Sequence, residues 1–168
     1  HALGALWHSW GITPAVVVGA GIDEVVAACA AGVMTPATGT RFALDGAVPE
    51  PLAMPRAAFV SGASGRVVPP DEVASPSYWR TFRPAAPLHA AALDAAAALG
   101  ATHLLVLGSG DALPALAANV VVLESPKDGE DVWAVLLREL ARLYVAGATV
   151  DWLGLDRGYA RRHADLPR

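Results

Sequence analysis

Short apolar runs bounded by glycine or other turn-forming residues recur along this chain and predict its strands. They lie at residues 16–18, 57–61, 102–107 and 120–123, and residues 66–68 predict a short strand that returns after a glycine-rich turn. Helical or small-residue segments separate these runs. The alternation predicts an α/β fold with a small parallel sheet flanked by helices on both faces.

Helices are predicted between the strands, and the amphipathic pattern is clearest at residues 131–146. The other predicted helices lie at residues 2–10, 23–31, from 75 onward, 88–99 and 112–118. Residues 35–57 hold many turn formers with little periodicity, so we expect a linker or a strap across the surface. Residues 150–168 also lack clear periodicity, and we expect them to wrap back over a domain formed by residues 1–149.

The 168 residues are rich in alanine, valine and leucine, and we expect them to form one domain with a sizeable core. A net charge of −4, with no dense basic run except Arg157, Arg161 and Arg162, argues against nucleic acid as a partner. The single cysteine, Cys29, fits a reducing cytoplasm, and no apolar run reaches the ~18 residues of a membrane-spanning helix. Because the first residue is histidine, we expect the chain to be a piece of a longer protein.

The strand at residues 16–18 leads through a tight glycine turn into a helix, which is the arrangement of an active-site elbow. The turn comprises Gly19, Ala20, Gly21, Ile22, Asp23 and Glu24. It contains no serine, cysteine, threonine or histidine, so it has the shape of an elbow without a nucleophile. Glu24 is expected to hydrogen-bond to loop backbone, and Asp23 to lie near the N-cap. Adjacent carboxylates diverge on a helix surface, so this pair is poorly placed for acid–base catalysis.

The same turn imitates a dinucleotide-binding fingerprint, because Gly19 and Gly21 follow a valine-rich strand. Glu24 stands where the third glycine should be and would repel a pyrophosphate, and Asp45 falls in a proline-rich loop rather than at a strand end. A second glycine turn, residues 108–111, could bind an anion at a helix start. We favour the interpretation that these residues form a tight turn that needs positive φ, because the negative charge of Asp111 would oppose a bound anion.

The remaining polar residues form no recognisable catalytic or metal-binding pattern. Cys29 is flanked by alanines and is interpreted as a buried structural thiol, and His103 as a hydrogen-bonded residue of a core strand. His8, Ser9 and Cys29 lack the spacing of a triad, and no histidine pair has metal-ligand spacing. The five tryptophans could form a docking face, but we expect core packing for most of them, with Trp152 pinning the tail. We therefore expect no cofactor and no metal.

Several motifs, in order along nearly the whole chain, resemble the acyltransferase domain of modular polyketide synthases. The matching segments are residues 6–14 before the elbow, 59–61 with 65–68 and 75–79 after the small subdomain, 102–110 as a late strand and turn, 133–147 as the helix before the tail, and 150–155 with 158–162 and 166–167 as the domain end and its following linker.

The departures from that family's pattern concern its catalytic residues. Its elbow reads Gly-His-Ser-x-Gly-Glu, whereas here Gly21 stands at the serine position and Ala20 at that of the preceding histidine. Its catalytic histidine precedes the Phe-Val-Ser strand, where residues 54–58 contain no histidine. Residues 35–57 are too short for its ferredoxin-like subdomain. Arg41 is only an approximate counterpart of the arginine that anchors an extender unit's carboxylate.

The resemblance implies a truncated remnant of the hydrolase-like α/β subdomain without transferase activity, since acyl transfer through serine needs a hydroxyl, a base and oxyanion donors. Such a domain would act as a structural spacer beside a ketosynthase and other synthase domains, or as a docking platform for a separate acyltransferase. Arg157, Arg161 and Arg162 could meet an acidic acyl carrier protein, and a solvated terminal face explains them at least as well. Two alternatives stay open. One is weak acyl or thioester chemistry by a non-serine mechanism, and the other is a nucleotide-binding module that uses the Gly19-x-Gly21 turn.

Overall fold

The computed structural model describes residues 2–48, 50–84, 86, 88–108 and 120–159. Its helices are α1 (Ala2–Ser9), α2 (Asp23–Ala30), α3 (Pro36–Asp45), α4 (Pro70–Val73), α5 (Pro76–Thr81), α6 (His89–Ala98), α7 (Val132–Val145) and α8 (Trp152–Asp156). Its strands are β1 (Val16–Gly19), β2 (Ala58–Ser61), β3 (Arg66–Val68), β4 (His103–Leu105) and β5 (Val121–Leu123). The predicted α/β class is confirmed.

Within the described residues the strands form two small sheets, not the single parallel sheet that we expected. In the first sheet β1 pairs in parallel with β2, and β2 pairs antiparallel with β3, the predicted return strand. In the second sheet β4 pairs in parallel with β5. Each sheet lies against its own buried cluster, so the short strands need not join in one ladder. The predicted helix at residues 112–118 lies outside the described residues.

Residues 36–45 correct the expectation of a linker, because they form α3. The Thr35 hydroxyl accepts a hydrogen bond from the Thr38 N–H at 3.1 Å, and Pro36 occupies the first turn. Gly46 ends the helix with a φ of 66°, a left-handed conformation that glycine adopts without strain. Both ends of α3 therefore carry standard capping signals, although its interior lacks an apolar stripe.

Phe42 explains why α3 stays folded against the rest of the chain. Its ring packs edge-on against Trp79 of α5, with 5.6 Å between the ring centroids. Gly39 lets α3 approach α2, because a Cβ there would lie 2.7 Å from the Cys29 Sγ and 3.1 Å from Val25 Cγ1. The burial of the Phe42 ring and the close approach of α3 to α2 thus hold α3 in place, although it lacks the amphipathic periodicity by which helices are predicted from sequence.

Two buried clusters organise the molecule, and we call them the elbow core and the terminal core. The elbow core comprises Val17, Val25, Ala27, Ala28, Ala31, Val33, Met34, Phe42, Ala57, Phe59, Val68, Val73 and Trp79. The terminal core comprises Trp7, Trp10, Leu123, Leu136, Leu140, Leu143 and Val150. The first surrounds the sheet of β1, β2 and β3, and the second joins α1 to β5 and α7.

The described part of the tail, residues 150–159, packs on α1. The Asp151 N–H donates to the Trp10 carbonyl at 2.8 Å, and Gly154 lies directly against the Ser9 carbonyl. Asp151 also caps α8, because its carboxylate accepts from the Gly154 N–H at 2.9 Å. The sequence pattern missed this five-residue helix, which is too short to show periodicity. In the described part of the chain, every helix is too short or too polar to cross a membrane.

Candidate functional site

The junction of β1 and α2 is the elbow-shaped turn that the sequence indicated. β1 ends at Gly19, α2 begins at Asp23, and Gly21 between them has a φ of 59°. Ile22 follows it with 47% of its surface exposed. The bend therefore carries no side chain at Gly21, and the exposed side chain of Ile22 lies next to it.

The backbone of this turn is packed against a second glycine, Gly62, in the turn after β2. The Gly62 N–H donates to the Gly19 carbonyl at 2.6 Å, and a Cβ on Gly62 would lie 2.8 Å from the Ala20 Cα. A Cβ on Gly19 would lie 2.7 Å from the Glu24 backbone nitrogen. Real Cβ atoms do not approach backbone so closely, so packing alone requires glycine at residues 19 and 62.

The first N–H groups of α2 already have acceptors inside the turn. The N–H groups of Asp23, Glu24 and Val25 donate to the carbonyls of the residues three positions earlier, at 3.1, 3.2 and 3.0 Å. A phosphate bound at a helix start needs such groups free. This geometry does not favour the nucleotide-binding alternative for Gly19 and Gly21.

Glu24 lies fully buried at the centre of a hydrogen-bond network. Its Oε1 accepts from the Ser61 hydroxyl at 2.7 Å and from the Ala63 N–H at 3.0 Å. Its Oε2 accepts from the Tyr78 hydroxyl at 3.0 Å. The prediction that Glu24 hydrogen-bonds to loop backbone is confirmed at Ala63. The carboxylate thereby ties α2 to the β2–β3 turn and to α5.

The partners of Glu24 are hydrogen-bond donors that the fold holds in place. Burial and the charge of the neighbouring Glu24 carboxylate raise the pKa of the Tyr78 hydroxyl, so Tyr78 stays a proton donor. Ser61 is buried, donates to Glu24 and accepts from the Ser64 N–H at 3.2 Å. Sequence analysis missed Ser61 and Tyr78 as partners of Glu24. A polar residue that ends a buried strand, as Ser61 does, was the available signal.

The other candidate residues are not brought to the turn. The Cys29 Sγ donates to the Thr35 carbonyl at 3.6 Å, and burial raises the pKa of the thiol, as suits a structural cysteine. His103 opens β4, with its Nδ1 2.9 Å from the Thr102 hydroxyl oxygen. Within the described ranges, no group of three or more histidine, cysteine or acidic side chains could hold a metal ion.

Three of the five tryptophans are buried, as expected, in the two cores. Trp133 and Trp152 are 46% and 51% exposed, and the Trp152 ring packs edge-on against Tyr144 of α7, with 5.2 Å between centroids. That contact attaches α8 to α7. Arg41 lies exposed on α3 and Arg157 is exposed at the end of α8. Arg161 and Arg162 lie outside the described residues.

Two polyketide synthases are similar to this chain in sequence. The spectinabilin polyketide synthase system protein NorC of Streptomyces orinoci is 33% identical over 181 residues, which cover 99% of this chain and 8% of that protein. The polyketide synthase GfsA of Streptomyces halstedii is 32% identical over 125 residues, which cover 69% of this chain and 2% of that protein. The chain thus spans less than a tenth of the length of these relatives. No protein-family model matches it.

The fold has a counterpart among solved structures. The acyl transferase domain of ZmaA superposes with a TM-score of 0.76 at 15% sequence identity, covering 99% of this chain and 62% of that one. At that identity the likeness concerns the fold alone. The sequence relatives are synthases, and the fold is part of an acyltransferase domain. This chain is therefore a short relative of polyketide synthases with the fold of a fragment of their acyltransferase domain.

Proposed function

We propose that this chain is a non-catalytic acyltransferase-like domain of a polyketide synthase, acting as a structural spacer or as a docking platform for a separate acyltransferase. One observation carries the proposal. At the bend between β1 and α2, where the resemblance expects a serine and a histidine before it, Gly21 and Ala20 offer neither a hydroxyl nor an imidazole. Gly19, Ile22, Asp23 and Glu24 complete this vestigial elbow.

The chemistry of acyl transfer makes those two positions decisive. A serine mechanism needs an oxygen nucleophile, a base that removes its proton and donors for the oxyanion. Removing members of such a set from hydrolases lowers the rate by ~10⁴- to 10⁶-fold. Ser61, a nearby hydroxyl, is buried and donates to the Glu24 carboxylate, which also accepts from the Ala63 N–H and the Tyr78 hydroxyl. That hydroxyl does not replace the missing nucleophile.

The structural contacts of the elbow support a scaffold. Gly19 and Gly62 keep the close backbone approach, and Glu24 keeps three hydrogen bonds that join separate elements. These contacts stabilise a shape without taking part in a reaction at Gly21. A domain retained as a spacer or platform needs that shape and nothing more from the turn.

The partners follow from the same proposal. The sequence relatives are parts of polyketide synthases, so the neighbours of this domain would be a ketosynthase and other synthase domains in the cytoplasm. A discrete acyltransferase or an acyl carrier protein would dock on it. Residues 150–168 would be the linker that follows the domain, and its described part already packs on α1 through Asp151.

Acyl loading tests the catalytic half of the proposal. The chain is incubated with isotope-labelled malonyl thioester and its intact mass is measured beside that of an active acyltransferase domain. We expect an adduct on the active domain and none on this chain. Gly21→Ser should also stay unlabelled, since the base is missing as well. A stoichiometric acyl adduct on the wild-type chain would overturn the proposal and favour the alternative of a non-serine enzyme.

Complex formation separates docking from spacing. The chain is mixed with a discrete acyltransferase from a synthase of the same kind, and the mass of the mixture is measured by light scattering. A stable complex would establish docking. Two separate species in the mixture would favour the spacer role. That role predicts that deleting the domain from its synthase lowers the product yield, because the neighbouring domains are then misplaced. Unchanged yield after deletion would exclude that role.

A further inference from the structure

One side of α7 exposes a stripe of apolar side chains. Its members, all exposed, are Trp133, Leu137, Ala141 and Tyr144. A helix turns by about 100° per residue, so spacings of four, four and three positions place these side chains within a strip about 80° wide. Another side of α7 packs in the terminal core. Since an exposed helix side is normally polar, α7 carries one apolar face more than the described part of the chain covers.

The aromatic side chains at the two ends of the stripe are restrained by neighbours. The Trp133 ring centroid lies 6.0 Å from that of the buried Trp10. The Tyr144 ring packs edge-on against Trp152 of α8, with 5.2 Å between centroids. Trp133 and Tyr144 lie about 16 Å apart along the helix axis. Restrained side chains lose little entropy on binding, and tryptophan and tyrosine are enriched at the energetic centres of interfaces.

The face is large enough for one half of a small interface. Trp133, Tyr144 and Trp152 are each about half exposed, and an aromatic side chain has an area of about 200 Å², so the three contribute roughly 300 Å². Leu137 is 44% exposed, and Val145 at the margin of the stripe is 85% exposed. With these two the face reaches about 500 Å², and two such faces in contact would bury about 1,000 Å², the lower limit for a specific interface.

The stripe is complementary to an inverted copy of itself. Two antiparallel α7 helices that cross at the level of Glu139 place each large side chain of one helix beside a smaller side chain of the other. The pairs are Leu137 with Ala141, Tyr144 with Ala134 and Trp133 with Val145. Large side chains beside small ones let two helices approach closely, and a two-fold axis uses the same patch on both copies. A parallel pairing would instead set Trp133 against Trp133 and Tyr144 against Tyr144.

The charged side chains beside the stripe favour a second copy over an acidic partner. Arg138 and Arg142 flank the stripe, and both pair with the buried Glu139, at 2.9 and 2.6 Å. An acidic helix would have to compete with Glu139 for these guanidinium groups, whereas a second copy needs only the apolar stripe. The positive charge that Glu139 does not offset lies at the margin of the face, where water and salt screen it.

We infer that two copies of this chain associate through α7, with the helices antiparallel about a two-fold axis at the level of Glu139. This inference goes beyond the scaffold role and does not depend on it, because the face lies on α7 and takes no part in the elbow turn. A monomeric chain can still be non-catalytic, and a dimeric chain can still accept an acyl unit, so the two proposals fail separately.

Sedimentation equilibrium of the 168-residue chain alone tests the inference. We expect the mass to rise from 17.2 kDa towards twice that value between about 1 and 200 µM, with a dimer Kd on the order of 10 µM. A single species of 17.2 kDa over the whole range would overturn the inference, and the face would then be left to a different protein. Assemblies that grow beyond a dimer would also overturn it, since a two-fold interface closes.

A substitution at the centre of the stripe assigns the association to α7. Leu137→Glu brings a carboxylate into the contact from both copies and should weaken the dimer at least about tenfold. The side chain is exposed in the monomer, so the circular dichroism spectrum should not change. Leu44→Glu, at an exposed leucine of α3, is the matched control for a lost leucine and an added charge, and should leave the dimer Kd unchanged. Equal weakening by both variants would contradict the assignment.

Cysteine cross-linking tests the antiparallel arrangement. In a Cys29→Ala background, Leu137→Cys and Ala141→Cys chains are mixed and oxidised, and the intact masses of the products are measured. The antiparallel arrangement places these two positions at the same level of facing helices, so we expect the mixed dimer to predominate. A parallel pairing would instead link like chains. Predominance of like pairs, or cross-linking no faster than between Leu44→Cys chains, would overturn the inference.

Discussion

A buried carboxylate lies beside the elbow core and another beside the terminal core, but the two have different hydrogen-bond partners. Glu24 beside the elbow core is held by two hydroxyls and a backbone N–H, all from other elements of the fold. Glu139 of α7 is 1% exposed and contacts Arg138 at 2.9 Å and Arg142 at 2.6 Å, on its own helix. Both arginines reach water, so this carboxylate joins no distant segments. Glu24 therefore links separate elements around the elbow core, whereas Glu139 pairs only with residues of its own helix.

The tryptophans of the two cores differ in the same way. In the elbow core the Trp79 Nε1 donates to the Val73 carbonyl at 2.9 Å. In the terminal core the Trp7 Nε1 is buried and has no hydrogen-bond partner among the described residues. The terminal core therefore gains mainly from apolar area, while the elbow core adds hydrogen bonds in defined directions. The hydrogen bonds of Glu24 lie beside the β1–α2 turn and hold the shape of that turn.

Replacing Gly62 should have the largest effect on stability. In Gly62→Ala a Cβ would collide with the Gly19 carbonyl and the Ala20 backbone, which cannot rotate away. We expect a loss of about 3 kcal/mol in the free energy of unfolding, measured by urea denaturation. Gly4→Ala in α1 is the matched control, since its Cβ would lie 3.4 Å from Leu107 Cδ1, an ordinary contact. A loss below 1 kcal/mol for Gly62→Ala, on the scale of a surface change, would show that the approach is not tight.

Removing each buried carboxylate sharpens the contrast between the cores. Glu24→Ala leaves the donors of Ser61, Ala63 and Tyr78 without an acceptor, so we expect a loss of about 2 kcal/mol. Glu139→Ala releases two arginines that water can solvate, and should cost about 1 kcal/mol. Thermal and urea unfolding of both variants measure the difference. Equal losses in the free energy of unfolding would show that the hydrogen bonds of Glu24 to other elements stabilise the chain no more than the ion pairs of Glu139.

The tryptophan pair gives a smaller, comparative effect. Trp79→Phe removes a hydrogen bond and leaves the Val73 carbonyl unpaired, whereas Trp7→Phe removes a donor that has no partner in the described residues. Both lose similar volume. Trp79→Phe should therefore destabilise the chain by about 1 kcal/mol more than Trp7→Phe. We expect a lower unfolding midpoint for Trp79→Phe than for Trp7→Phe. The reverse order would contradict the role given to the Trp79–Val73 hydrogen bond.

The smallest effect concerns pH. Burial and Glu24 raise the folded-state pKa of Tyr78 above its unfolded value of about 10, so the folded chain holds this proton more tightly. The resulting stabilisation is present below about pH 10 and is lost as the pH rises toward the folded pKa. Tyr78→Phe should flatten the fall in stability between about pH 10 and 11, and Tyr144→Phe, at a tyrosine outside the Glu24 network, is the matched variant. Identical profiles for both variants would exclude a role for Tyr78.

The strands and most helices could be predicted because local signals marked them. Ser75 caps α5 ahead of a proline, and Asp131 caps α7 with its carboxylate accepting from the Ala134 N–H. The glycine turn after β1 was equally visible, as was the backbone hydrogen bond of Glu24. Helix α3 was missed because its stability comes from Phe42 on Trp79, a contact across 37 residues that periodicity does not record.

The sequence by itself determined the α/β class, the bend at Gly21 without a reactive side chain, and the resemblance to acyltransferase domains, because these depend on local residue order. Only the tertiary structure decided that the strands divide into two described sheets, and that Ser61 and Tyr78 meet Glu24. These features join residues far apart in the chain. Packing and hydrogen-bond satisfaction select such pairs during folding, and no spacing pattern along the chain encodes them.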